Sequence, residues 1–95
     1  MADEKKKISV LIVDDDEFLL NMYSIKFSNS GLDVTTSASS EDALKKLRDG
    51  FVPDALILDI VMPGMDGFEL LGKIREEKLA PRAVVLVLTN YCLPT

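Results

Sequence analysis

The chain has 95 residues, of which 47% are hydrophobic and 28% charged, and its formal net charge is −5 with no histidine. This length suits one domain with a single core and leaves no room for a second. The acidic balance argues against nucleic-acid binding because no basic face is available, and the single cysteine, Cys92, excludes an internal disulfide and fits a reducing compartment.

The amino-terminal part predicts a tail, a strand and a helix. Residues 1–7 read as a solvated tail, and residues 8–95 as the domain. Too few apolar residues precede Asp14 for a signal peptide or a membrane span, so we expect a cytoplasmic protein with no membrane contact. Residues 8–13 are apolar and β-branched, which is typical of a strand covered on both faces. A helix over 17–29 follows, predicted from apolar residues at helical spacing: Phe18, Met22 and Ile25.

The remaining segments continue the alternation of strands and helices. Residues 32–36 alternate like a half-exposed strand, and a helix begins after Ser39, which resembles a capping box with Asp42. A third apolar run, 55–58, ends on Asp59, and Asp66 is placed to cap the next helix. Residues 83–88 form the most apolar run. This order predicts a parallel sheet with right-handed crossovers and helices on both faces.

Acidic residues follow two of these buried runs. In open sheets of this kind, ligands bind outside the carboxyl ends of the strands. Asp14 and Asp15 follow the first run and Asp59 the third. Carboxylates that converge there repel one another unless a cation is present, and Mg²⁺ prefers such hard oxygen ligands. We therefore expect Asp15 and Asp59 to be direct ligands of Mg²⁺ and Asp14 to act through a water. The backbone carbonyl of Val61 is expected to be a further ligand.

The same site is suited to phosphoryl transfer. An aspartate beside Mg²⁺ can attack phosphorus and become an acyl phosphate, a reaction that needs mainly positioning and charge neutralisation. Thr89, after the fourth run, has a hydroxyl for a phosphoryl oxygen. Simpler roles exist for single residues: Asp16 is predicted to be only a helix cap, and Met62 and Met65 are predicted to pack.

The stretches LIVDDDEF, LILDIVMPGMDGFELL and VVLVLTN together resemble the receiver domains of two-component response regulators, from residue 8 to about residue 90. The resemblance implies that Asp59 is the phospho-acceptor, that Asp14 and Asp15 hold Mg²⁺, and that Thr89 senses the phosphoryl group. It also implies a histidine kinase or phosphotransfer protein as partner. The implied fold is flavodoxin-like, with a sheet ordered 2-1-3-4-5; this chain accounts for about four strands, in the order 2-1-3-4, and three helices.

The sequence departs from that family pattern after the fourth strand. A helix, a fifth strand and a last helix are expected there, with a lysine that pairs with the phosphoryl group, yet only NYCLPT follows Thr89 and no lysine follows Lys78. The domain is therefore expected to be an incomplete receiver. Residues 83–88 would then form an uncharged, open sheet edge, which predicts pairing with another copy and hence a homo-oligomer.

Two alternatives to a phosphorylated receiver are open. A truncated or degenerate receiver could act as an interaction or oligomerisation module without efficient phosphorylation, as the absent lysine favours. Alternatively, Asp14-x-Asp16 with Thr89 superficially resembles phosphatases of the haloacid dehalogenase type, although a later lysine and a further acidic motif are absent. Otherwise we expect no enzymatic activity beyond slow self-phosphorylation and autodephosphorylation.

Overall fold

The computed structural model of the protein describes residues 7–88, which form one parallel sheet and three helices. The strand order is β2-β1-β3-β4, and the predicted alternation and order are confirmed. The elements in chain order are β1 (Ser9–Val13), α1 (Glu17–Asn29), β2 (Asp33–Ser37), α2 (Ser40–Arg48), β3 (Ala55–Asp59), α3 (Gly67–Glu76) and β4 (Val84–Leu88).

The two central strands are buried on both faces, as their continuous apolar runs predict. β1 and β3 pair in register from Val10 opposite Ala55 to Val13 opposite Leu58. One face of the sheet packs on α2 and α3 through a cluster that includes Leu11, Leu44, Leu56, Leu58 and Leu70. The opposite face packs on α1 through a smaller cluster of Val10, Ile12, Leu20 and Ile57.

Polar side chains cap the start of each helix. Asp16 caps α1, where its carboxylate accepts hydrogen bonds from the N–H groups of Phe18 and Leu19. Asp66 and Glu69 form a complete capping box on α3. The capping box predicted for α2 is only half formed, because Ser39 accepts from the N–H of Asp42 while the Asp42 carboxylate accepts from Lys46.

Helix α1 does not pack against the sheet through the apolar residues from which the sequence predicts the helix. Phe18 is 73% exposed and Ile25 62% exposed. Leu20 is buried, with Tyr23 and Phe27 packed beside it. Both sets repeat at helical spacing, so periodicity predicts the helix but cannot choose between two apolar faces.

Strand β4 is an edge strand with little cover on either face. It pairs with β3 from Val84 opposite Ala55 to Leu88 opposite Asp59. Val84 is 62% exposed and Leu86 53% exposed, whereas β1 and β3 are almost wholly buried. The predicted open apolar edge is therefore present in the described part of the chain.

Candidate functional site

Three carboxylates meet at one end of the sheet. Asp14 and Asp15 follow β1, and Asp59 is the last residue of β3. Because β1 and β3 are adjacent and parallel, their carboxyl ends lie side by side. One carboxylate oxygen from each of the three residues lies within 4.8 Å of the others. The sequence prediction that these acids converge is confirmed.

The three acids differ sharply in environment. Asp14 and Asp59 are each only 1% exposed, whereas Asp15 is exposed. Asp14 Oδ1 accepts a hydrogen bond from the Asp16 N–H at 2.9 Å, and Asp59 Oδ1 accepts one from the Val61 N–H at 3.3 Å. The Oδ2 atoms of Asp14 and Asp59 are buried and have no hydrogen-bond partner in the part of the chain that the structure describes.

Burial and mutual repulsion make ionisation of the two buried acids costly. Burial raises the pKa of the Asp14 carboxyl; the hydrogen bond from Asp16 opposes this rise, and the charges of Asp59 and Asp15 add to it. Burial likewise raises the pKa of Asp59, against the hydrogen bond from Val61 and together with the charge of Asp15. Both groups would therefore gain from a positive charge placed between them.

The donor set fits a small hard cation. Buried polar atoms normally have partners, so two orphaned oxygens in one pocket indicate that something else binds there. Carboxylate oxygens are the ligands that Mg²⁺ prefers, and Mg²⁺ characteristically binds one or two carboxylates together with water and phosphate oxygens. Asp14, Asp15 and Asp59 could supply those ligands, and the exposure of Asp15 leaves one side of the pocket open to water.

The other predicted site residues have separate outcomes. Val61 lies next to the pocket and donates its N–H to Asp59; its carbonyl as a ligand stays a prediction. Thr89 lies outside the described residues. The carboxylate of Asp16 faces the start of α1, so it is used as a cap, as predicted, and is not aimed at the pocket as a phosphatase of the alternative type would need.

A close contact fixes the loop between β3 and α3 beside Asp59. Gly67, the first residue of α3, donates its N–H to the carbonyl of Ile60. A Cβ added at Gly67 would collide with the Asp59 carbonyl oxygen and lie 3.0 Å from the carbonyl carbon. The sequence indicates only a turn at Gly67, but the structure shows that glycine is what lets α3 start against the backbone of Asp59.

Sequence reasoning missed two polar residues of α2 that contact segments bordering the pocket. The Ser40 hydroxyl donates to the Met65 carbonyl, and Lys46 donates to the end of β2. Their acceptors lie 25 and 10 residues away in sequence, so no local pattern marks them.

The fold and the pocket together define the class of protein. The chain has an open α/β sheet of order 2-1-3-4 and an acidic pocket at the carboxyl ends of the central strands. The sequence matches the family of response regulator receiver domains over residues 10–92. The chain belongs to that family, and the fold is the CheY-like, flavodoxin-like one.

Several characterised relatives are similar in sequence or structure. The transcriptional regulatory proteins PhoP of Bacillus subtilis and AfsQ1 of Streptomyces coelicolor are 37% and 38% identical over 70 and 73 residues, which is 74% and 77% of this chain. The chain spans only 29% and 32% of those two proteins. CheY4 of Vibrio cholerae superposes with a TM-score of 0.83 at 31% identity, over 94% of this chain and 73% of that one.

A further solved relative carries ligands. The response regulator TrrA of Thermotoga maritima, described in complex with Mg(2+)-BeF, superposes with a TM-score of 0.79 at 36% identity, over 90% of this chain and 71% of that one. Between residues 7 and 88 of the present chain, no helix is long and apolar enough to cross a membrane.

Proposed function

We propose that this receiver domain accepts a phosphoryl group on Asp59, in a pocket where Asp14, Asp15 and Asp59 hold Mg²⁺ with help from the Val61 carbonyl. The observation that carries the proposal is the pair of buried, unpartnered oxygens on Asp14 and Asp59, within a cluster of three carboxylates. The Mg(2+)-BeF complex of TrrA supports Mg²⁺ as the cation. Bound Mg²⁺ would neutralise charge on the acids and on the phosphoryl group.

The proposed group transfer takes place on Asp59. A carboxylate oxygen of Asp59 attacks the phosphorus of a phosphohistidine, so that a P–O bond forms while the P–N bond breaks. The imidazole leaves with the bonding electron pair and takes up a proton, and the product is an acyl phosphate on Asp59. The donor would be a histidine kinase or phosphotransfer protein, and Thr89 would hydrogen-bond one phosphoryl oxygen.

Intact mass spectrometry tests this proposal. The protein is incubated with acetyl phosphate and Mg²⁺, and the expected result is a mass gain of one phosphoryl group that is absent in Asp59→Asn and in the presence of a chelator. Peptide mapping of the labelled acid separates the receiver from the phosphatase alternative, because the receiver carries the phosphoryl group on Asp59 and that alternative carries it on Asp14. An unlabelled but folded wild-type protein would refute phosphorylation and favour the interaction module.

The local role of Asp16 favours a receiver over the phosphatase alternative. Asp16 is occupied as a helix cap, which leaves the phosphatase alternative without the second acid of its pair. We propose a cytoplasmic protein that performs no catalysis apart from slow self-phosphorylation and autodephosphorylation, and that binds neither nucleic acid nor membrane through this domain.

We also propose that a second copy of the chain pairs with strand β4. Val84, Leu86 and Val87 are exposed there without a charge among them. A groove of about 300 Å³ lies between α3 and β4 and is lined by Leu71, Ile74 and Val85, among others. Open apolar edges of this kind favour strand pairing. Light scattering tests this proposal at a protein concentration of roughly tens of micromolar, where weak dimers form. A dimer or larger assembly supports it, and a monomer refutes it.

A further inference from the structure

Helix α2 contacts segments on two sides of the acidic pocket, although it contributes no residue to the acid cluster. One contact is made by Lys46, in its last turns, and the other by Ser40, its first residue. Both are side-chain to backbone hydrogen bonds across long stretches of chain. The helix therefore joins two segments: the end of β2, and the loop that follows Asp59.

The ammonium group of Lys46 uses all of its hydrogen-bond donors. Its ammonium group donates to the Thr36 carbonyl at 2.6 Å, to Ser37 Oγ at 3.0 Å and to Asp42 Oδ2 at 2.6 Å. An ammonium group has three donors, so all three are used. The hydrogen bond from Lys46, followed by one from Ser37, lowers the pKa of the Asp42 carboxyl, which agrees with a persistent ion pair. The Lys46 side chain therefore ties α2 to the end of β2.

The end of β2 is in turn bonded to the pocket. The Ser37 carbonyl accepts a hydrogen bond from the Asp14 N–H at 3.1 Å, and Ser37 itself is buried. Lys46 thus acts on the same residue whose carbonyl holds the Asp14 backbone. A shift of Ser37 would be passed to Asp14 through that bond.

Ser40 makes the corresponding contact on the other side. Its buried hydroxyl donates to the Met65 carbonyl at 2.8 Å. Met65 lies in the loop between Asp59 and α3, which also carries Val61. The loop is therefore bonded to the start of α2 on one side and to the start of α3, through Gly67, on the other.

We propose that Lys46 and Ser40 are positioning residues for the metal pocket, each holding one of its two sides at the spacing that Mg²⁺ requires. This inference rests on the proposed function, because it takes Mg²⁺ as the ligand. Mg²⁺ demands near-ideal octahedral geometry, so small displacements of a carboxylate weaken its binding. Removal of groups that orient metal ligands commonly lowers metal affinity by roughly 10–100-fold. Lys46 is one hydrogen bond further from the ligands than such groups, so we expect its removal to lower the Mg²⁺ affinity by about 3–10-fold.

The test compares Lys46→Met with Lys45→Met by Mg²⁺ titration followed through backbone amide NMR shifts. Lys45 is the neighbouring residue, 78% exposed in its side chain and 3.9 Å from Asp49. Each variant removes one positive charge. Charge alone would make either variant bind Mg²⁺ more tightly, whereas positioning predicts weaker binding in Lys46→Met only. The two explanations therefore differ in sign.

Two uncharged substitutions keep the test decisive if Lys46→Met does not fold. Ser37→Ala removes one acceptor of Lys46, and Ser40→Ala removes the bond to the loop. Each is expected to weaken Mg²⁺ binding about 2–5-fold, which is less than the roughly 10–100-fold loss typical of groups bonded directly to the ligands. Ser37→Ala should change the amide shifts of Asp14, and Ser40→Ala those of Val61.

The outcomes separate this inference from the function on which it rests. Wild-type affinity in folded Lys46→Met, or in both serine variants, would overturn the positioning role and leave the metal site intact. A wild-type protein that does not bind Mg²⁺ would overturn both. Weaker binding in Lys46→Met and the serine variants, with Lys45→Met binding as tightly as wild type or more tightly, supports the inference.

Discussion

Replacing Asp59 with asparagine should stabilise the metal-free protein. The Asp59 carboxylate is buried beside Asp14, with one oxygen unpartnered, and burial raises its pKa. Asparagine has nearly the same shape but no charge. It therefore relieves the repulsion with Asp14 and the cost of holding a desolvated charge, so the free energy of unfolding should rise.

The size of this effect follows from the spacing of the carboxylates. At 4.8 Å, the upper bound on the distances between the cluster's oxygens, and an effective dielectric constant of about 20, two unit charges repel by about 3.5 kcal/mol. The hydrogen bonds to Oδ1 of each acid offset part of this cost. We expect Asp59→Asn to gain about 2 kcal/mol near pH 7 in a chelating buffer, which is about 8–16 °C in Tm for a domain of this size.

The pH dependence gives the effect a definite sign. Because the pKa of Asp59 is raised above its ordinary 3.8 in the folded protein, the unfolded chain loses this proton first as pH rises. The folded wild type is therefore destabilised progressively above pH 3.8, and the penalty is complete above the raised pKa. The advantage of Asp59→Asn should be larger at pH 7 than at pH 4 and should disappear as pH falls below about 4, where both states of the wild type hold the proton.

Urea denaturation at pH 7 and pH 4, with chelator present, measures both effects. Asp33→Asn is the matched control, because it removes the same charge from an exposed position on β2. It should change stability by less than about 0.5 kcal/mol, as is usual for surface substitutions. If Asp59→Asn were less stable than wild type at pH 7, or equally stabilising at both pH values, the electrostatic reasoning would be refuted.

Three further predictions concern packing, the sheet edge and the surface. Gly67→Ala should lower the free energy of unfolding by about 1–3 kcal/mol because its Cβ would collide with the backbone at the end of β3. Gly72→Ala, with open space around it, should raise it by about 0.5–1 kcal/mol; urea denaturation that ranks the two variants otherwise contradicts this packing. Leu86→Lys, on the exposed edge, should shift any assembly toward monomer in light scattering without loss of helical circular dichroism, and an unchanged molar mass would place the interface elsewhere. Arg48→Met breaks the surface ion pair with Glu77 and should lower the free energy of unfolding only slightly, with the loss smaller in high salt. A loss that does not depend on salt would show that packing, not charge, dominates there.

The sequence predicts the sheet and the acid cluster well because both follow from local patterns combined with one topological rule. The apolar runs of β1 and β3 mark buried strands, and parallel pairing places their carboxyl ends together. Asp14, Asp15 and Asp59 consequently meet without any need for side-chain detail. The exposed edge at β4 combines an uncharged apolar run with the edge position that the resemblance to receiver domains implies.

The parts that could not be predicted depend on tertiary contacts. Helix α1 has two apolar faces at helical spacing, and only packing against the sheet selects the one with Leu20 over the one with Phe18. The partners of Lys46 and Ser40 lie on distant segments, so nothing in the local sequence distinguishes Lys46 from its neighbour Lys45. The close approach at Gly67 also requires the folded loop beside Asp59.

The central claim is that Asp14, Asp15 and Asp59 share one hard cation, and a Mg²⁺ titration followed by backbone amide NMR measures this most directly. The account predicts saturable one-to-one binding, with the largest shifts at these acids and at Val61, and loss of the response in Asp59→Asn. Shifts that do not saturate, or that are equally large in Asp59→Asn, would contradict it.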